Sequence, residues 1–292
     1  MTIRDNRASL VAVAARLRIS VPRLWTDRPL TDRQGRLVAL PGSGGVAIGL
    51  HAGDPVGRAI GDHAIPGISL DDLPGCGTHG LVCVGNRVRD ISGATVGTVA
   101  GKRGGLAPGF LDGQYIGVEA SDDKLRDAMP GEDLVVETYG RGLSLNDFPR
   151  VGIVNCSPRA LDTLRLKAEG DSLVIGIRAR FSSLWAGPGL GSDSWIGDLE
   201  IAMPENLLPS DLSYGDIVAF DNIDGRVSRF HREGYVTVGV VSHGPSPVVG
   251  HGVGVTVLLS GPVATLSAVH DGNATLASFL RATPQTMWRY TW

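Results

Sequence analysis

The stretch that decides the fold is YVTVGVVSHGPSPVVGHGVGVTVLLS, which runs from Tyr235 to Ser260. Two runs rich in β-branched residues flank a loop of glycines and prolines that carries His243 and His251. These runs predict two β-strands, because β-branched side chains pack well on a pleated sheet and Gly and Pro favour the turn between strands. Both imidazoles are then expected at one edge of a sheet.

A second polar segment, HAGDPVGRAIGDH, lies between apolar segments at residues 51–63. It holds His51, Asp54, Asp62 and His63, so the two segments together contain four of the seven histidines. Neutral imidazoles and carboxylates form the nitrogen and oxygen ligand set that binds Zn²⁺, Mn²⁺ or Fe²⁺. We therefore expect the two segments to meet in one polar site.

The expected site is a divalent-metal centre (Zn, Mn or Fe) with proton-transfer groups beside it. The residues expected to bind the metal are His63, His243, His251 and Asp54, and those expected to act in catalysis are Asp62, His63, His243 and Asp221. No HExxH motif and no thiolate pair are present, so the spacing does not select one metal. The competing interpretation is structural: the aspartates cap turns and the histidines bond to backbone carbonyls.

Arginines follow the apolar run at residues 217–220, close to Asp221. Arg226 and Arg229 are expected to hold an anionic group of a small substrate, because a guanidinium binds a carboxylate through two parallel hydrogen bonds. Surface salt bridges are the competing explanation for the same arginines.

A glycine-rich stretch, GPGLGSDSWIGD, lies at residues 187–198. Its Gly189 and Ser192 are expected to contact the substrate, because such a loop admits a ligand to backbone N–H groups. The stretch superficially resembles a phosphate cradle, but SWIGDLEI after it indicates a strand. A dinucleotide-binding fingerprint requires a helix there, so nucleotide binding is not favoured.

The composition predicts a mainly β protein, a β-rich α+β fold. The 292 residues include 41 glycines and 17 prolines but only 5% aromatic residues, a balance typical of many turns and short strands. We expect barrel- or sandwich-like sheets with a few short helices, at residues 122–130, 158–168 and 273–281. The chain is expected to form a single domain over residues 1–292, with a division into two lobes near residues 150–170 as the alternative.

The segment LVCVGNRVRDISGATVGTVAGKRGG, at residues 81–105, predicts three short strands of a small barrel. It resembles the KOW motif of ribosomal and transcription proteins, in which basic residues follow a strand and a glycine. Contacts with nucleic-acid phosphates are expected in that case from Lys102, Arg103, Arg87 and Arg89. A solvated basic turn explains the same residues, and the net charge of −3 gives no general reason to bind nucleic acid.

Other features indicate a soluble cytoplasmic protein. The most apolar region, residues 236–269, is interrupted by histidines and prolines and would not cross a bilayer as a helix. No signal peptide is recognised at the N-terminus. The three cysteines lack CxxC spacing and are expected to be buried thiols. Glycine-rich strand edges also suit a homo-oligomer.

Seven segments resemble the prokaryotic domain-of-unknown-function family numbered 4438. They are LPGSGGV at 40–46, GDPVGRAIGDHAIPGIS at 53–69, SGATVGTVAGKRGG at 92–105, YGRGL at 139–143, GPGLGS at 187–192, YGDIVAFD at 214–221 and VTVGVVSHGPSPVVGHGVGVT at 236–256. The resemblance covers nearly the whole chain and implies one β-rich domain without an established activity. The matched positions include Asp54, Asp62, His63, His243 and His251. His51 and His79 have no match, so His63 is favoured over His51 as a ligand.

A looser similarity is to acetamidases and formamidases, which are β-rich, metal-dependent amidohydrolases. It implies that a metal-activated water attacks a small amide or related carbonyl. The expected function is therefore a metal-assisted hydrolase or lyase that acts on a small polar substrate, including an anionic one. The alternatives are a non-catalytic protein that binds a small ligand or is purely structural, and a KOW-like nucleic-acid-binding module.

Overall fold

The computed structural model describes residues 3–22, 30–38, 44–58, 64–71, 77–104, 115–187, 193–227, 230–248 and 250–282. The strands are β1 (Val13–Ile19), β2 (Leu30–Thr31), β3 (Leu37–Val38), β4 (Val46–Ala47), β5 (Gly67–Asp71), β6 (Arg87–Arg89), β7 (Thr95–Arg103), β8 (Tyr115–Ala120), β9 (Asp133–Thr138), β10 (Gly152–Ile153), β11 (Lys167–Glu169), β12 (Ser172–Ile177), β13 (Ala179–Ser182), β14 (Ala186–Gly187), β15 (Leu199–Ile201), β16 (Ile217–Asp224), β17 (Phe230–His243), β18 (Val253–Pro262) and β19 (Leu266–His270). The α-helices are α1 (Asp122–Asp127), α2 (Pro158–Thr163) and α3 (Ala277–Arg281), and 3₁₀ turns occur at Arg7–Ser9, Val56–Arg58, Thr78–Gly80, Ser183–Trp185 and Glu205–Leu207. The predicted β-rich fold with a few short helices is confirmed.

The first sheet closes into a six-stranded barrel. Its strands follow the order β1-β9-β6-β7-β8-β5, and β5 pairs back with β1 through Arg18↔Asp71 and Ile19↔Leu70. In β1, Leu17 and Ile19 are buried while Arg18 is exposed, because side chains alternate between the two faces of a strand. The buried apolar side chains form one cluster that fills the barrel.

The second sheet contains the two strands predicted from the opening stretch. Its order is β13-β16-β17-β18-β15-β14, and β10 also pairs with β18. Strands β17 and β18 pair antiparallel from Tyr235↔Pro262 to His243↔Gly254. All ten residues of β18 are buried, so this strand is covered on both faces. A small third sheet, β11-β12-β19, the β2–β3 ribbon and strand β4, which pairs with β5, complete the described strands.

The barrel packs directly on the second sheet where β7 meets β17 and β18. The Lys102 backbone N–H donates to Thr256 Oγ1 at 2.7 Å, and the Ser242 hydroxyl donates to the Lys102 carbonyl. The approach is so close that a Cβ atom at Gly101 would overlap the Ser242 side chain. Only glycine fits there, and the contact brings the end of β7 beside the end of β17.

Some predicted element boundaries differ from the structure. Helix α2 begins as predicted, with the Ser157 hydroxyl oxygen accepting from the Ala160 N–H at 3.2 Å, but it ends at Thr163 because Arg165 adopts a positive φ of 51°. The prediction of three strands over residues 81–105 is wrong for the first, because a turn forms in which the Asn86 side chain accepts from the Cys83 N–H.

No helix among the described residues is long and apolar enough to cross a membrane.

Candidate metal site at the end of the long hairpin

A row of three residues across the second sheet builds the candidate site. Glu200 on β15 lies opposite Gly254 on β18, and Gly254 lies opposite His243 on β17. Residues opposite one another in a sheet project from the same face, so Glu200 and His243 share that face. Gly254 has no side chain, and a Cβ atom there would overlap the imidazole ring of His243. The glycine therefore leaves the space in which the two side chains meet.

A β-bulge turns His243 into this space. The pairing of β17 with β18 shifts between Val241 and His243, so Ser242 is the extra residue on β17. Bulges re-aim side chains and often occur next to functional sites. His243 is 0% exposed.

Asp198 joins the row because it lies two residues before Glu200 in the chain. Residues at this spacing point to the same side of an extended chain, while Leu199 and Ile201 between and after them pack into an apolar core. One ligand atom each from Asp198, Glu200 and His243 lie within 4.8 Å of one another, and all three residues are buried. The arrangement brings two carboxylates and one imidazole together away from solvent.

Backbone N–H groups hold one oxygen of each carboxylate. Gly104 N–H donates to Asp198 Oδ1 at 2.9 Å, and Gly252 N–H donates to Glu200 Oε2 at 2.6 Å. The other oxygen of Asp198, Oδ2, lies 2.6 Å from Nε2 of His243. Both carboxylates are therefore fixed in orientation by the ends of β7 and β18.

The hydrogen bonds of His243 determine which ring nitrogen carries the proton. Its Nδ1 lies 2.7 Å from the carbonyl oxygen of Gly244, and a carbonyl oxygen only accepts, so Nδ1–H is the donor. In a neutral ring, Nε2 then directs a lone pair at the Asp198 carboxylate. The 2.6 Å separation is a hydrogen-bond distance, at which the two atoms share one proton and no metal ion fits between them. Metal binding would therefore replace this proton and separate the two atoms to about 3 Å.

His251 lies beside the cluster rather than within it. Its Nδ1 is 3.0 Å from Oε1 of Glu200, and its side chain is 18% exposed. Arg33 donates to the His251 backbone carbonyl. A histidine that contacts a ligand carboxylate from outside the ligand set orients that ligand. Sequence analysis expected His251 as a ligand, and the structure places it against the candidate ligand Glu200.

The residue that follows the second polar segment contacts the loop that follows His243. The Gly244 N–H, next to His243, donates to the Ala64 carbonyl at 2.8 Å. Ala64 follows Asp62 and His63 in the chain, but these two residues lie outside the described residues. The meeting of His63 and Asp62 with His243 therefore stays a prediction.

A buried lysine fixes the loop that carries Asp198. The Lys102 ammonium donates to the carbonyls of His79 and Trp195 at 2.7 Å and to Asn155 Oδ1 at 3.0 Å, and Asn155 Nδ2 donates to the Ser194 carbonyl. Lys102 thus holds the Trp195 carbonyl of the loop, and Asn155 holds the adjacent Ser194 carbonyl. Burial lowers the pKa of Lys102 to about 7 and the pKa of His79 to about 3.

The expectation of a solvated basic turn at the end of β7 is therefore wrong. Lys102 is 1% exposed, and Arg103 and Arg87 are also buried. Arg103 lies over the ring of Tyr115 at 5.4 Å, and Arg89 pairs with Glu137 at 2.6 Å. The burial of Lys102, Arg103 and Arg87 argues against their contact with a nucleic acid on the surface, whereas Arg89 is half-buried.

Other predicted site residues lie apart from the cluster. Asp54 accepts from the His51 N–H and pairs with Arg58 at 3.0 Å. Asp221 pairs with Arg180 and lies opposite Val236 on β17, which is roughly 23 Å along the strand from His243 at 3.3 Å per residue.

The predicted substrate-binding residues fall into two groups. Arg226 binds Asp224 through two hydrogen bonds of 2.8 Å and covers the ring of Tyr235, so its guanidinium is committed to an ion pair. Arg229, Gly189 and Ser192 lie outside the described residues.

Comparisons with known proteins identify the family. A family model described as "Domain of unknown function (DUF4438), N-terminal" matches residues 30–162, and a second, described as "Domain of unknown function (DUF4438), C-terminal", matches residues 163–280. The chain belongs to the DUF4438 family. This confirms the resemblance noted in the sequence, while the similarity to acetamidases and formamidases stays a prediction.

A solved structure shares the fold of this DUF4438 chain. The structure described as "Crystal structure of TM1086" is 28% identical in sequence, covers 95% of this chain and 99% of that chain, and superposes with a TM-score of 0.86. No curated protein matches the chain significantly. The likeness supports the β-rich architecture and assigns no activity.

Sequence analysis missed two of the three residues of the candidate cluster. Asp198 and Glu200 lie in SWIGDLEI, which was interpreted only as a strand. Their i, i+2 spacing between Ile196, Leu199 and Ile201 places two carboxylates on one face of an otherwise apolar strand. Burying two carboxylates of such a strand without partners is costly in free energy. The pair of acidic residues in an apolar strand was therefore the sequence signal for a polar site.

Proposed function

We propose that Asp198, Glu200 and His243 bind a divalent metal ion and that the protein is a metal-assisted hydrolase or lyase. The observation that carries this proposal is the cluster itself: one ligand atom each from Asp198, Glu200 and His243 lie within 4.8 Å of one another, and all three residues are buried. Two carboxylates buried side by side are costly unless positive charge compensates them. A metal cation would supply that charge.

The donor set suits the metals expected from the sequence. One imidazole nitrogen and two carboxylate oxygens match the preferences of Zn²⁺, Mn²⁺ and Fe²⁺. The donors come from strands and from positions next to strand ends, and backbone N–H groups hold both carboxylates. Three protein ligands would leave a coordination position for water or substrate, as catalytic rather than structural zinc sites do.

A bound divalent metal supplies an activated water and polarises a carbonyl oxygen. The residues of the chain hold and orient the ligands: Gly104 and Gly252 fix the carboxylates, and His251 holds Glu200. Asp62 and His63, which precede Ala64, remain the predicted proton-transfer residues. We propose a small polar substrate, because the cluster is polar and its three residues are buried.

Metal binding is tested by isothermal titration of chelator-treated, untagged protein with Zn²⁺ and Mn²⁺. We expect one site per chain, and its loss in Asp198→Asn. The matched control is Asp216→Asn, which changes another buried carboxylate, one that accepts from the Ser213 N–H in a different turn. Equal metal binding by Asp198→Asn and Asp216→Asn, or none by the wild type, would contradict the proposal.

Catalysis is tested separately with the metal-loaded protein. Small amides, esters and hydroxy acids are incubated with wild type and with the His243→Asn variant, and products are followed by NMR. We expect turnover of at least one substrate class that disappears in the variant and after chelation. If the protein binds metal but turns over none of these substrates, the enzymatic part of the proposal is contradicted and only metal binding is supported.

A further inference from the structure

A second polar feature lies in the turn YGRGL, at residues 139–143, and takes no part in the metal cluster. Glycines flank Arg141 on both sides, and both adopt a positive φ, of 136° at Gly140 and 83° at Gly142. A Cβ atom at Gly140 would lie only 2.9 Å from the carbonyl oxygen of Cys156. The turn therefore requires glycine beside Arg141, and a tightly packed backbone carries this arginine.

The Arg141 side chain lies over an aromatic ring of the loop before β15. Its Cζ atom is 3.8 Å from the centre of the Trp195 ring. Trp195 is itself held in place, because its N–H donates to Asp193 Oδ1 at 2.8 Å and its carbonyl accepts from Lys102 Nζ at 2.7 Å. The guanidinium therefore rests on a fixed aromatic platform.

The N–H groups of Arg141 are available to a ligand. Stacking on Trp195 uses one face of the planar guanidinium, whereas its five N–H groups point outward in the plane. Within the part of the chain that the structure describes, none of these groups donates a hydrogen bond and no carboxylate lies within 4 Å of them. Asp193 raises the pKa of Arg141 only from a longer distance.

A partly buried cation is costly in free energy without a compensating charge. Arg141 is half-buried, and burial lowers the pKa of its guanidinium, which nevertheless stays charged. Lys102, which holds the same tryptophan, donates to three neutral oxygens and brings no negative charge to the site. An oxyanion at Arg141 would supply the missing negative charge.

We propose that Arg141, held against Trp195, binds an oxyanion group, either a carboxylate or a phosphate. A guanidinium matches both groups through two parallel N–H···O bonds. None of the three proposed metal ligands takes part, so the proposal does not rest on the proposed function. Metal removal should leave oxyanion binding unchanged.

The first test is isothermal titration of the full chain with inorganic phosphate and, separately, with acetate, at constant ionic strength and in the presence of EDTA. We expect saturable one-to-one binding of at least one anion. Arg141→Met should weaken it by about tenfold or more, because a charge-assisted hydrogen bond is lost. The matched control is Arg150→Met, which removes an exposed arginine and should change affinity by less than about twofold.

Tryptophan fluorescence locates the bound anion. Because the Arg141 guanidinium covers the Trp195 ring, anion binding should change the emission of the wild type. Trp195→Phe keeps an aromatic ring under Arg141 and should still bind the anion, but the emission change should disappear. An emission change of equal size in wild type and Trp195→Phe would place the anion elsewhere and contradict the proposal.

Tighter binding of phosphate assigns the site to a phosphate group, and tighter binding of acetate assigns it to a carboxylate. Arg141→Lys keeps the charge but not the planar fork, and we expect it to fold and to bind more weakly than wild type. Thermal unfolding without added anion verifies that each variant is folded. Binding of neither anion by the wild type, or equal binding by wild type, Arg141→Met and Arg141→Lys, would overturn the proposal.

Discussion

The Nε2 atom of His243 lies 2.6 Å from the Oδ2 atom of Asp198, although 45 residues separate them in the chain. The contact joins the end of the long strand β17 to the loop before β15. Both side chains are buried, so solvent screens the interaction between them only weakly. Stability and metal binding should therefore both respond to changes at this pair.

The energetic coupling of His243 and Asp198 is tested with a double-mutant cycle. In metal-free protein, His243→Leu leaves the Asp198 carboxylate buried without its ion-pair partner and should lower the free energy of unfolding by about 3–5 kcal/mol. The double variant His243→Leu/Asp198→Asn should lose less than the sum of the two single changes. Urea unfolding measures all four proteins; additive losses would show that the two side chains do not interact.

A second prediction concerns His251. The variant His251→Phe removes the contact with Oε1 of Glu200 while keeping a ring of similar size. Because outer hydrogen-bonding partners orient metal ligands, we expect metal affinity to fall by about 10- to 100-fold without loss of the site. Titration with Zn²⁺ checks this. Complete loss of binding would instead make His251 a ligand, as the sequence suggested.

A third prediction concerns Lys102, whose pKa is lowered by burial to about 7. The unfolded chain binds this proton up to about pH 10.5, so between pH 7 and 10.5 it holds more protons than the folded chain. The contribution of Lys102 to the free energy of unfolding should therefore rise with pH over this window. Urea unfolding of wild type and Lys102→Met at pH 7 and pH 9 should show a difference that grows with pH.

The Lys102→Met variant should also be less stable at every pH. It leaves Asn155 Oδ1 and two backbone carbonyls without their donor, at a cost of about 3 kcal/mol or more. The matched control is Lys167→Met, which alters an exposed lysine and should have little effect. A pH-independent difference between wild type and Lys102→Met would contradict the lowered pKa.

The fourth prediction concerns His51, which lies between two carboxylates, with Nδ1 2.7 Å from Glu119 and Nε2 3.0 Å from Asp122. Burial lowers the pKa of His51, but the two hydrogen bonds outweigh this effect and raise the pKa above its ordinary value of about 6.5. The resulting stabilisation is complete below about pH 6.5 and is lost as the pH rises through the folded-state pKa.

The test of His51 compares wild type with His51→Gln between pH 5.5 and 8.5. We expect the stability advantage of wild type to shrink towards high pH, by less than about 1 kcal/mol because the ring is partly exposed. The control His270→Gln removes an exposed histidine on β19 and should not reproduce this trend. An NMR titration of the His51 ring that gives a pKa below 6.5 would refute the prediction.

Local sequence signals predicted much of the fold. The β-branched runs around His243 and His251 predicted β17 and β18, and the Ser157–Pro158 pair predicted the start of α2. The closure of the barrel by β1 and β5 was not predictable in detail, because it joins strands about 50 residues apart whose register depends on tertiary packing.

The candidate site was only partly predictable for the same reason. His243 was identified because an imidazole beside a predicted turn between two strands suits a metal ligand. Asp198 and Glu200 were missed because their partners arrive through the pairing of β15 with β18, which no local pattern encodes. Lys102 was interpreted as part of a solvated turn, since its burial depends on Asn155 and Trp195 from distant segments.

The measurement that tests metal binding most directly is an anomalous difference map from a crystal of the untagged protein grown with Zn²⁺. We predict a dominant peak about 2.0–2.2 Å from Nε2 of His243 and from one carboxylate oxygen each of Asp198 and Glu200. The same crystal form of Asp198→Asn should lack it. A wild-type map with no peak at these three residues, or with zinc bound only elsewhere, would contradict the central claim.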